Sequence, residues 1–269
     1  MLHKIRASLV QRTVKVVVVG AGGTGSHVLT GLVDLHLSML ALGHLGGIEV
    51  ICYDDDLVSE ANIGRQKFAP SDVGLPKAVV LINRANMLFG TDWKAVVKRI
   101  DKHSNMKDCD LVIGCVDNRQ ARADILKLFS DCYWLDFGNR KDDGQVVLGQ
   151  IPSRYSNAAV MHNGLAVSRL PHVGDLFPEI MNPELESPDD GPSCSLAEAL
   201  EKQSLFINKS VADYGLNLLS MLFRHGEIAF HGGFINLKSG RAAPLAVCPD
   251  VWKRFGFKVK KTRAKKAAN

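Results

Sequence analysis

The sequence predicts an α/β fold with an open, mostly parallel sheet and helices on both faces. Through residues 14–151, short apolar runs alternate with longer segments of helical periodicity. This is the pattern of parallel strands joined by right-handed helical crossovers. The first run, VKVVVV at residues 14–19, is rich in β-branched residues and is followed by glycines. Such a run is typical of a strand that is buried on both faces of a parallel sheet.

The remaining elements follow in chain order. A helix capped by Ser26 is predicted to extend to about Gly43. Pro76 is suited to the first turn of another helix, which ends near Leu88. Further strands are predicted at IEVICY 48–53, KAVVKRI 94–100, DLVIGC 110–115 and CYWLDF 132–137, with a helix at RQARADILKLF 119–129.

The composition changes after residue 151. Residues 171–192 contain five prolines and six acidic residues but no Lys or Arg, which predicts a long irregular connection. Residues 195–223 have the pattern of a long helix, with a break near Ile207. Residues 231–245, HGGFINLKSGRAAPL, resemble a β-hairpin. A C-terminal helix and hairpin therefore extend the predicted sheet domain.

These elements predict a single domain over residues 1–252, which includes an irregular crossover loop at 171–194. The tail at 253–269 holds eight Lys or Arg and no acidic residue, and we expect it to be disordered. The rest of the chain contains 25 basic and 28 acidic residues and is therefore slightly acidic, so the net charge of +5 comes from the tail. Nucleic-acid binding is therefore not expected, except through the tail, which could also contact an acidic partner.

Two further features narrow the class of protein. No apolar stretch is long enough to span a bilayer, and the N-terminal residues lack a signal core with a cleavage site, so we expect a cytoplasmic protein. The six cysteines are scattered without a C-x-x-C pair. Neither a disulfide framework nor a structural zinc site is predicted.

A glycine motif follows the first strand. Gly20, Gly22 and Gly25 form G-x-G-x-x-G, with Gly23 between them, at the start of the next helix. Glycine allows the backbone to approach a phosphate closely, and the amides at a helix N-terminus favour negative charge. The motif predicts a nucleotide site in a Rossmann-like domain, although a purely structural turn would use the same residues.

Acidic and basic residues follow the second strand. One carboxylate at this position, Asp54, suits a ribose hydroxyl, but Asp55 and Asp56 add charge that would repel phosphates unless cations are near. Arg65 and Lys77 supply those cations, and Asn62 and Gln66 add polar groups between them. Cations beside a phosphate site suit phosphates that change charge during a reaction. Each cation taken alone would more simply be a surface residue.

A further carboxylate lies at the end of the strand DLVIGC. Asp117 follows this strand at its carboxyl end, the edge where open α/β sheets bind ligands. A carboxylate there is suited to magnesium that bridges phosphate oxygens, and it could equally be a helix cap. Asn118 and Arg122 begin the next helix and are expected to fix the loop.

These motifs together resemble a known superfamily. GAGGTGS, DDDLVSEANIGRQ, GLPKA and CVDNRQAR, in this order and at these spacings, are similar to the motifs of the ThiF/MoeB and ubiquitin-activating enzymes. The resemblance implies that residues 1–252 form an adenylation domain that uses ATP and Mg²⁺. It also implies that a small ubiquitin-like or sulfur-carrier protein presents its C-terminal carboxylate to the α-phosphate, and that the enzyme is a homodimer.

The resemblance assigns roles to residues. Asp54 would hold the ribose and Asp56 matches the second acid of the motif, while Asp117 would bind magnesium. Asn62, Arg65 and Lys77 would contact the phosphates. An arginine from the partner subunit commonly completes such sites, and Arg6 and Arg12 are candidates. The full set of nucleotide-binding candidates is Gly20, Gly22, Gly23, Gly25, Asp54, Asp56, Asn62, Arg65, Gln66, Lys77 and Asn118.

Cys194 is the candidate nucleophile. GPSCSLAEAL is similar to the P-x-C-T-L signature of ubiquitin-type activating enzymes, which implies transfer of the activated protein to Cys194 as a thioester and then to a conjugating enzyme. A thiol near a helix N-terminus has a lowered pKa, although the acidic surroundings oppose this, and an inert loop cysteine is the alternative. Residues 194–208 and 231–245 most resemble the stand-alone bacterial members of PRTRC gene systems.

Three other interpretations remain open. Adenylation of a sulfur-carrier protein would stop before the thioester, and a silent scaffold would keep the fold without its chemistry. A nicotinamide-dependent dehydrogenase would share only the glycine motif.

Overall fold

The structure, a computed structural model, describes residues 1–104, 106, 108–152, 160–162, 165–167, 169–185, 201, 203–258 and 260–261. Its strands are β1 (His3–Lys4), β2 (Val14–Val19), β3 (Ile48–Tyr53), β4 (Lys94–Val96), β5 (Leu111–Gly114), β6 (Cys132–Asn139), β7 (Asp143–Ile151), β8 (Val160–His162), β9 (Leu165–Val167), β10 (Glu227–Ile228), β11 (Phe230–Asn236), β12 (Arg241–Ala246) and β13 (Lys260–Lys261). The helices are α1 (Gly23–Ala41), α2 (Lys77–Phe89), α3 (Arg119–Leu128), α4 (Val173–Leu176), α5 (Ile207–His225) and α6 (Pro249–Lys253).

An eight-stranded sheet forms the centre of the molecule. Its order is β12-β11-β7-β6-β5-β2-β3-β4. The strands from β6 to β4 pair in parallel, and β7, β11 and β12 extend the sheet through antiparallel pairs. The predicted fold class is therefore confirmed. The strand order reverses beside β2, and open α/β sheets bind ligands at the carboxyl ends of strands at such a switch point.

Helices cover both faces of the sheet. On one face α1, α2 and α5 pack against the sheet in a cluster that includes Leu32, Ile82 and Leu218. On the other face α3, α4 and α6 form a second cluster with Trp134 and Trp252. Since both faces of the parallel strands are covered, β2 buries every residue except Lys15. Within the described residues, no helix is long and apolar enough to cross a membrane.

Two local predictions differ from the structure. Ser26 does not cap α1, because the helix begins at Gly23 and Ser26 lies in its first turn, where its hydroxyl donates to the Gly23 carbonyl at 3.1 Å. The strand expected at 94–100 ends at Val96, after which the chain leaves the sheet edge. The break predicted near Ile207 in the long helix is confirmed, because residues 203–206 are not helical and α5 starts at Ile207. Residues 195–200 and 202 of that prediction lie outside the described residues.

The C-terminal residues continue past α6. Phe255 and Phe257 pack against the second core cluster, so apolar contacts extend beyond the domain boundary predicted at residue 252. Lys260–Lys261 pair antiparallel with β9. Most of the remaining tail lies outside the described residues, as do residues 186–194 of the predicted crossover loop.

Candidate functional site

The glycine turn connects β2 to α1 at the carboxyl edge of the sheet. Gly20 has φ +94°, and a Cβ there would lie 2.6 Å from the Cys115 carbonyl oxygen. A Cβ on Gly25 would lie 2.0 Å from the Gly20 carbonyl oxygen. Side chains are therefore excluded at both positions by backbone. These two glycines allow the turn itself to form.

Gly22 differs from these two glycines because it faces open space. Apart from its neighbours in the chain and in α1, no atom of a described residue lies within 4 Å of the position that its Cβ would occupy. Gly22 is also the N-cap of α1, with no side-chain cap, and no acidic residue lies in the first turn. The first amides of a helix have no partner within the helix and attract anions. The geometry leaves room for a phosphate at this helix N-terminus.

Asp54 connects the end of β3 to the glycine turn. Its Oδ2 accepts a hydrogen bond from the Ala21 amide at 2.6 Å, and its Oδ1 accepts one from the Asp56 amide at 2.9 Å. Burial raises the pKa of the Asp54 carboxyl, while these two amides and the nearby Lys77 ammonium act to lower that pKa. Each oxygen retains acceptor capacity, which suits the ribose hydroxyls that the sequence assigned to it.

Lys77 lies at the start of α2 and contacts Asp56. Its ammonium is 2.7 Å from Asp56 Oδ2, and its amide donates to the Asp56 carbonyl. The Lys77 side chain is 9% exposed and that of Asp56 is 60% exposed. The structure therefore brings Asp54, Asp56 and Lys77 together beside the glycine turn. Asp55, which received no role, instead pairs with Arg99 at 3.0 Å.

Arg65 and Gln66 have buried polar atoms that form no hydrogen bond with any described residue. The Arg65 NH1 group donates to Gln203 Oε1 at 3.0 Å, whereas Arg65 Nε and Gln66 Oε1 are the buried atoms without such a partner. Buried polar groups are rarely left unsatisfied, and such exceptions indicate a missing ligand or water. Asn62 is buried and its Oδ1 accepts from the Ser59 amide at 2.9 Å, so it shapes the loop that presents Arg65.

Asp117 lies exposed after β5. Its Oδ1 accepts from Asn118 Nδ2 at 3.3 Å, and Asn118 Oδ1 caps α3 by accepting from the Ala121 amide at 2.8 Å. The capping role that the sequence also allowed for Asp117 thus belongs to Asn118. Arg122 forms a buried pair with Asp136 at 3.2 Å, and burial raises the pKa of Asp136 to about 6.

A magnesium site made by protein alone is not present in the described part of the chain, where no three His, Cys, Asp or Glu side chains converge. Magnesium, however, usually binds through one or two carboxylates together with substrate phosphates and water. The exposed carboxylate of Asp117, at the same sheet edge as the glycine turn, fits that kind of site.

Comparison with known proteins agrees with this geometry. The model of the ThiF family matches residues 7–239, which is most of the chain. This protein belongs to the ThiF family. No curated protein matches the sequence.

Two solved structures share the fold of this ThiF-family protein. Escherichia coli MccB aligns with a TM-score of 0.53 and 16% identity, over 87% of this chain and 62% of that one. Selenomethionyl PaaA aligns with a TM-score of 0.54 and 12% identity, over 87% of this chain and 64% of that one. The chain therefore spans less than two thirds of the length of either structure, and at these identities the likeness concerns the fold.

The candidates for an arginine from a partner subunit lie at the other edge of the sheet. Arg12 makes two hydrogen bonds to the Asp110 carboxylate, at 2.6 and 2.7 Å. Arg6 donates to the carbonyl and carboxylate of Asp131. Both aspartates precede strands of the ThiF-family sheet, so neither arginine contacts the glycine turn of its own chain. Cys194 lies outside the described residues.

Sequence reasoning missed a group of amide and hydroxyl side chains behind the site. Thr24, Asn139, Gln203 and Asn208 form hydrogen bonds with one another and with Arg65. They come from three separate segments of the ThiF-family chain, which are α1, the end of β6 and the stretch that leads into and begins α5. No spacing in the sequence marks them, because their contacts exist only once α1, α5 and the β6–β7 turn pack together.

Proposed function

We propose that this chain uses ATP and magnesium to adenylate the C-terminal carboxylate of a small ubiquitin-like protein. The main support is the Lys77 ammonium, which is almost buried and lies 2.7 Å from Asp56. It is also close enough to Asp54 to oppose the rise that burial causes in the pKa of that carboxyl. Asp54 in turn contacts the glycine turn. A preorganised cation beside a phosphate-binding turn suits phosphoryl chemistry, and family membership agrees with it.

Each residue near the turn has a defined task in this proposal. Gly22 and the first amides of α1 bind phosphate oxygens, and Asp54 accepts hydrogen bonds from the ribose. The carboxylate of the partner protein attacks the α-phosphorus, so that a new P–O bond forms, the bond to the β-phosphate oxygen breaks and pyrophosphate leaves. Lys77 and Arg65 stabilise the negative charge that develops on the phosphates.

Asp117 would hold the metal. When bound, magnesium would neutralise phosphate charge and orient the triphosphate. Asp117 is free for this task because its neighbour Asn118 already caps α3. Asp56 has a different task, since it holds the Lys77 ammonium at the site before the triphosphate arrives.

The later steps and the setting belong to the same proposal. The thiol of Cys194 would attack the acyl-adenylate, giving a thioester and releasing AMP, and a conjugating enzyme would receive the protein. We further propose a homodimer in the cytoplasm of a bacterium, in a gene system of the PRTRC type. Sulfur-carrier adenylation without the thioester and a silent scaffold are the alternatives that the experiments must separate.

Pyrophosphate exchange tests the first step. The purified chain is mixed with ATP, labelled pyrophosphate and a small β-grasp protein encoded by a neighbouring reading frame. We expect exchange with the intact partner and none with the same partner amidated at its C-terminus. Absence of exchange with every such partner, while the protein remains folded, would favour the silent scaffold. Tight NAD binding in a fluorescence titration would favour a dehydrogenase.

A cysteine variant tests the second step. Cys194→Ala is expected to keep exchange and to lose a protein adduct that thiols can reduce. Cys248→Ala, at a half-buried cysteine near α6, is the matched control and should keep both. If the wild-type protein exchanges pyrophosphate but forms no adduct, the chemistry stops at the adenylate.

A further inference from the structure

A buried hydrogen-bond network joins the glycine turn to Arg65. Asn208 lies in the first turn of α5 and is 3% exposed. Its Oδ1 accepts from Thr24 Oγ1 at 3.0 Å and from Asn139 Nδ2 at 2.6 Å. Its Nδ2 donates to Gln203 Oε1 at 3.2 Å, and the same oxygen accepts from Arg65 NH1 at 3.0 Å. The oxygen and the nitrogen of the Asn208 side-chain amide are thus both hydrogen-bonded, to residues of α1, of β6 and of the stretch before α5.

The packing around Asn208 explains one of the motif glycines. A Cβ on Gly23 would lie 2.7 Å from Asn208 Oδ1 and 2.9 Å from Nδ2. Gly23 therefore has no side chain because α5 occupies that space, whereas Gly22 faces open space. Gly23 serves the contact between α1 and α5, and this contact sets where Asn208 lies relative to the phosphate-binding turn.

Gln203 is the last protein contact in this network before Arg65. Gln203 lies C-terminal to Cys194 in the sequence, and its side-chain amide oxygen, Oε1, accepts the hydrogen bond from the guanidinium. Within the described part of the chain, Arg65 Nε is buried and has no hydrogen-bond partner. A planar guanidinium has its donors in a rigid arrangement, so one hydrogen bond from NH1 also sets the direction of the remaining donors.

We propose that Gln203 and Asn208 are positioning residues that hold the Arg65 guanidinium in the orientation needed to bind the ATP phosphates. The inference rests on the proposed function, since it takes the triphosphate as the ligand of Arg65. Neither amide contacts the substrate. Each acts through Arg65: Asn208 fixes Gln203 relative to the glycine turn, and Gln203 fixes the guanidinium.

The test uses the full chain and needs no partner protein. ATP affinity is measured by calorimetry in the presence of magnesium for the wild type, Gln203→Ala, Arg65→Ala and the double variant. We expect Gln203→Ala to weaken ATP binding about tenfold, because ordering the freed Arg65 side chain then becomes a cost of binding. Because Gln203 acts through Arg65, the double variant should bind no more weakly than Arg65→Ala. Gln120→Ala, at an exposed position of α3 where the side chain donates a hydrogen bond to Asp124, should bind as the wild type does.

A second measurement reports the arginine directly. Solvent exchange of the Arg65 Nε–H proton, followed by NMR in the absence of nucleotide, should be faster in Gln203→Ala than in the wild type and in Gln120→Ala. Unchanged exchange, or additive losses of ATP affinity in the double variant, would overturn the positioning role. A wild-type protein that does not bind ATP would overturn the proposed function, and the NMR comparison would still decide whether Gln203 orients Arg65.

Discussion

Replacement of Lys77 by alanine should abolish most of the proposed activity and leave the fold intact. The Lys77 side chain is 9% exposed, and its ammonium lies 2.7 Å from Asp56 Oδ2. Asp56 is mainly in water, with 60% of its side chain exposed. Removal of the cation therefore leaves a carboxylate that water can solvate, and a pair with one exposed member contributes only about 0–1 kcal/mol to stability.

The effect on catalysis should be much larger than the effect on folding. At an effective dielectric constant of about 20, a unit charge about 4 Å from another is worth roughly 4 kcal/mol. A preorganised donor at the reacting charge typically contributes about 100- to 1000-fold in rate. We therefore expect the pyrophosphate exchange rate of Lys77→Ala to fall by about 100-fold or more, with a change of about 1 kcal/mol or less in the free energy of unfolding.

The assay compares exchange rates and urea unfolding for three lysine variants. Lys94→Ala, on strand β4 at 62% side-chain exposure, is the matched control and should exchange at the wild-type rate. Lys77→Arg should recover only part of the activity, because a guanidinium does not replace a compact ammonium in a closed site. If Lys77→Ala exchanges at the wild-type rate, Lys77 does not act on the phosphates and the proposed site is wrong.

Three further predictions concern the metal, the core and the tail. Asp117→Ala should lower exchange about 100-fold or more at ordinary magnesium with no change in the unfolding midpoint, and full activity would remove Asp117 from the metal site. Burial lowers the pKa of His231 to about 4 from 6.5, so below pH 6.5 the unfolded chain binds a proton that the native state does not. The contribution of neutral His231 to the free energy of unfolding is complete above about pH 6.5, and about 3 kcal/mol of it is lost as the pH falls towards 4. In urea unfolding, the free energy of unfolding of His231→Gln should therefore depend less steeply on pH than that of the wild type, and an equal slope would contradict this. Deletion of residues 262–269, which follow β13, should leave exchange and stability unchanged. Deletion of residues 253–269 also removes two phenylalanines that pack against the core and should lower the unfolding midpoint, and equal stability of the two truncations would show that these contacts contribute nothing.

Sequence reasoning worked best where the physical requirement was local. The valine run of β2 and the glycines after it predicted a buried parallel strand and a tight turn. Both predictions were possible because backbone conformation and burial pattern depend on residues that are neighbours in the sequence. The limits of elements were less predictable. Ser26 has a good capping side chain, yet the glycine turn leads directly into the helix and α1 begins at Gly23.

The candidate site was predictable in part for the same reason. Asp54, Lys77 and Asp117 could be found because each follows a strand or begins a helix at the carboxyl edge of a parallel sheet. The ion pair between Lys77 and Asp56 could not be predicted from the sequence, because it depends on how the loop between β3 and α2 folds back. Asn208 and Gln203 gave no signal, because an amide in a helical run resembles any surface amide.

By itself the sequence determined the fold class, the position of the glycine turn and the set of charged residues at one edge of the sheet, because these depend on chain order and on periodicity. Only the tertiary structure decided which of those charges meet, that Gly23 makes room for Asn208 while Gly22 faces open space, and that Arg65 donates a hydrogen bond to Gln203. Such contacts join residues far apart in the chain, and their geometry is set by how α1 and α5 pack on the sheet.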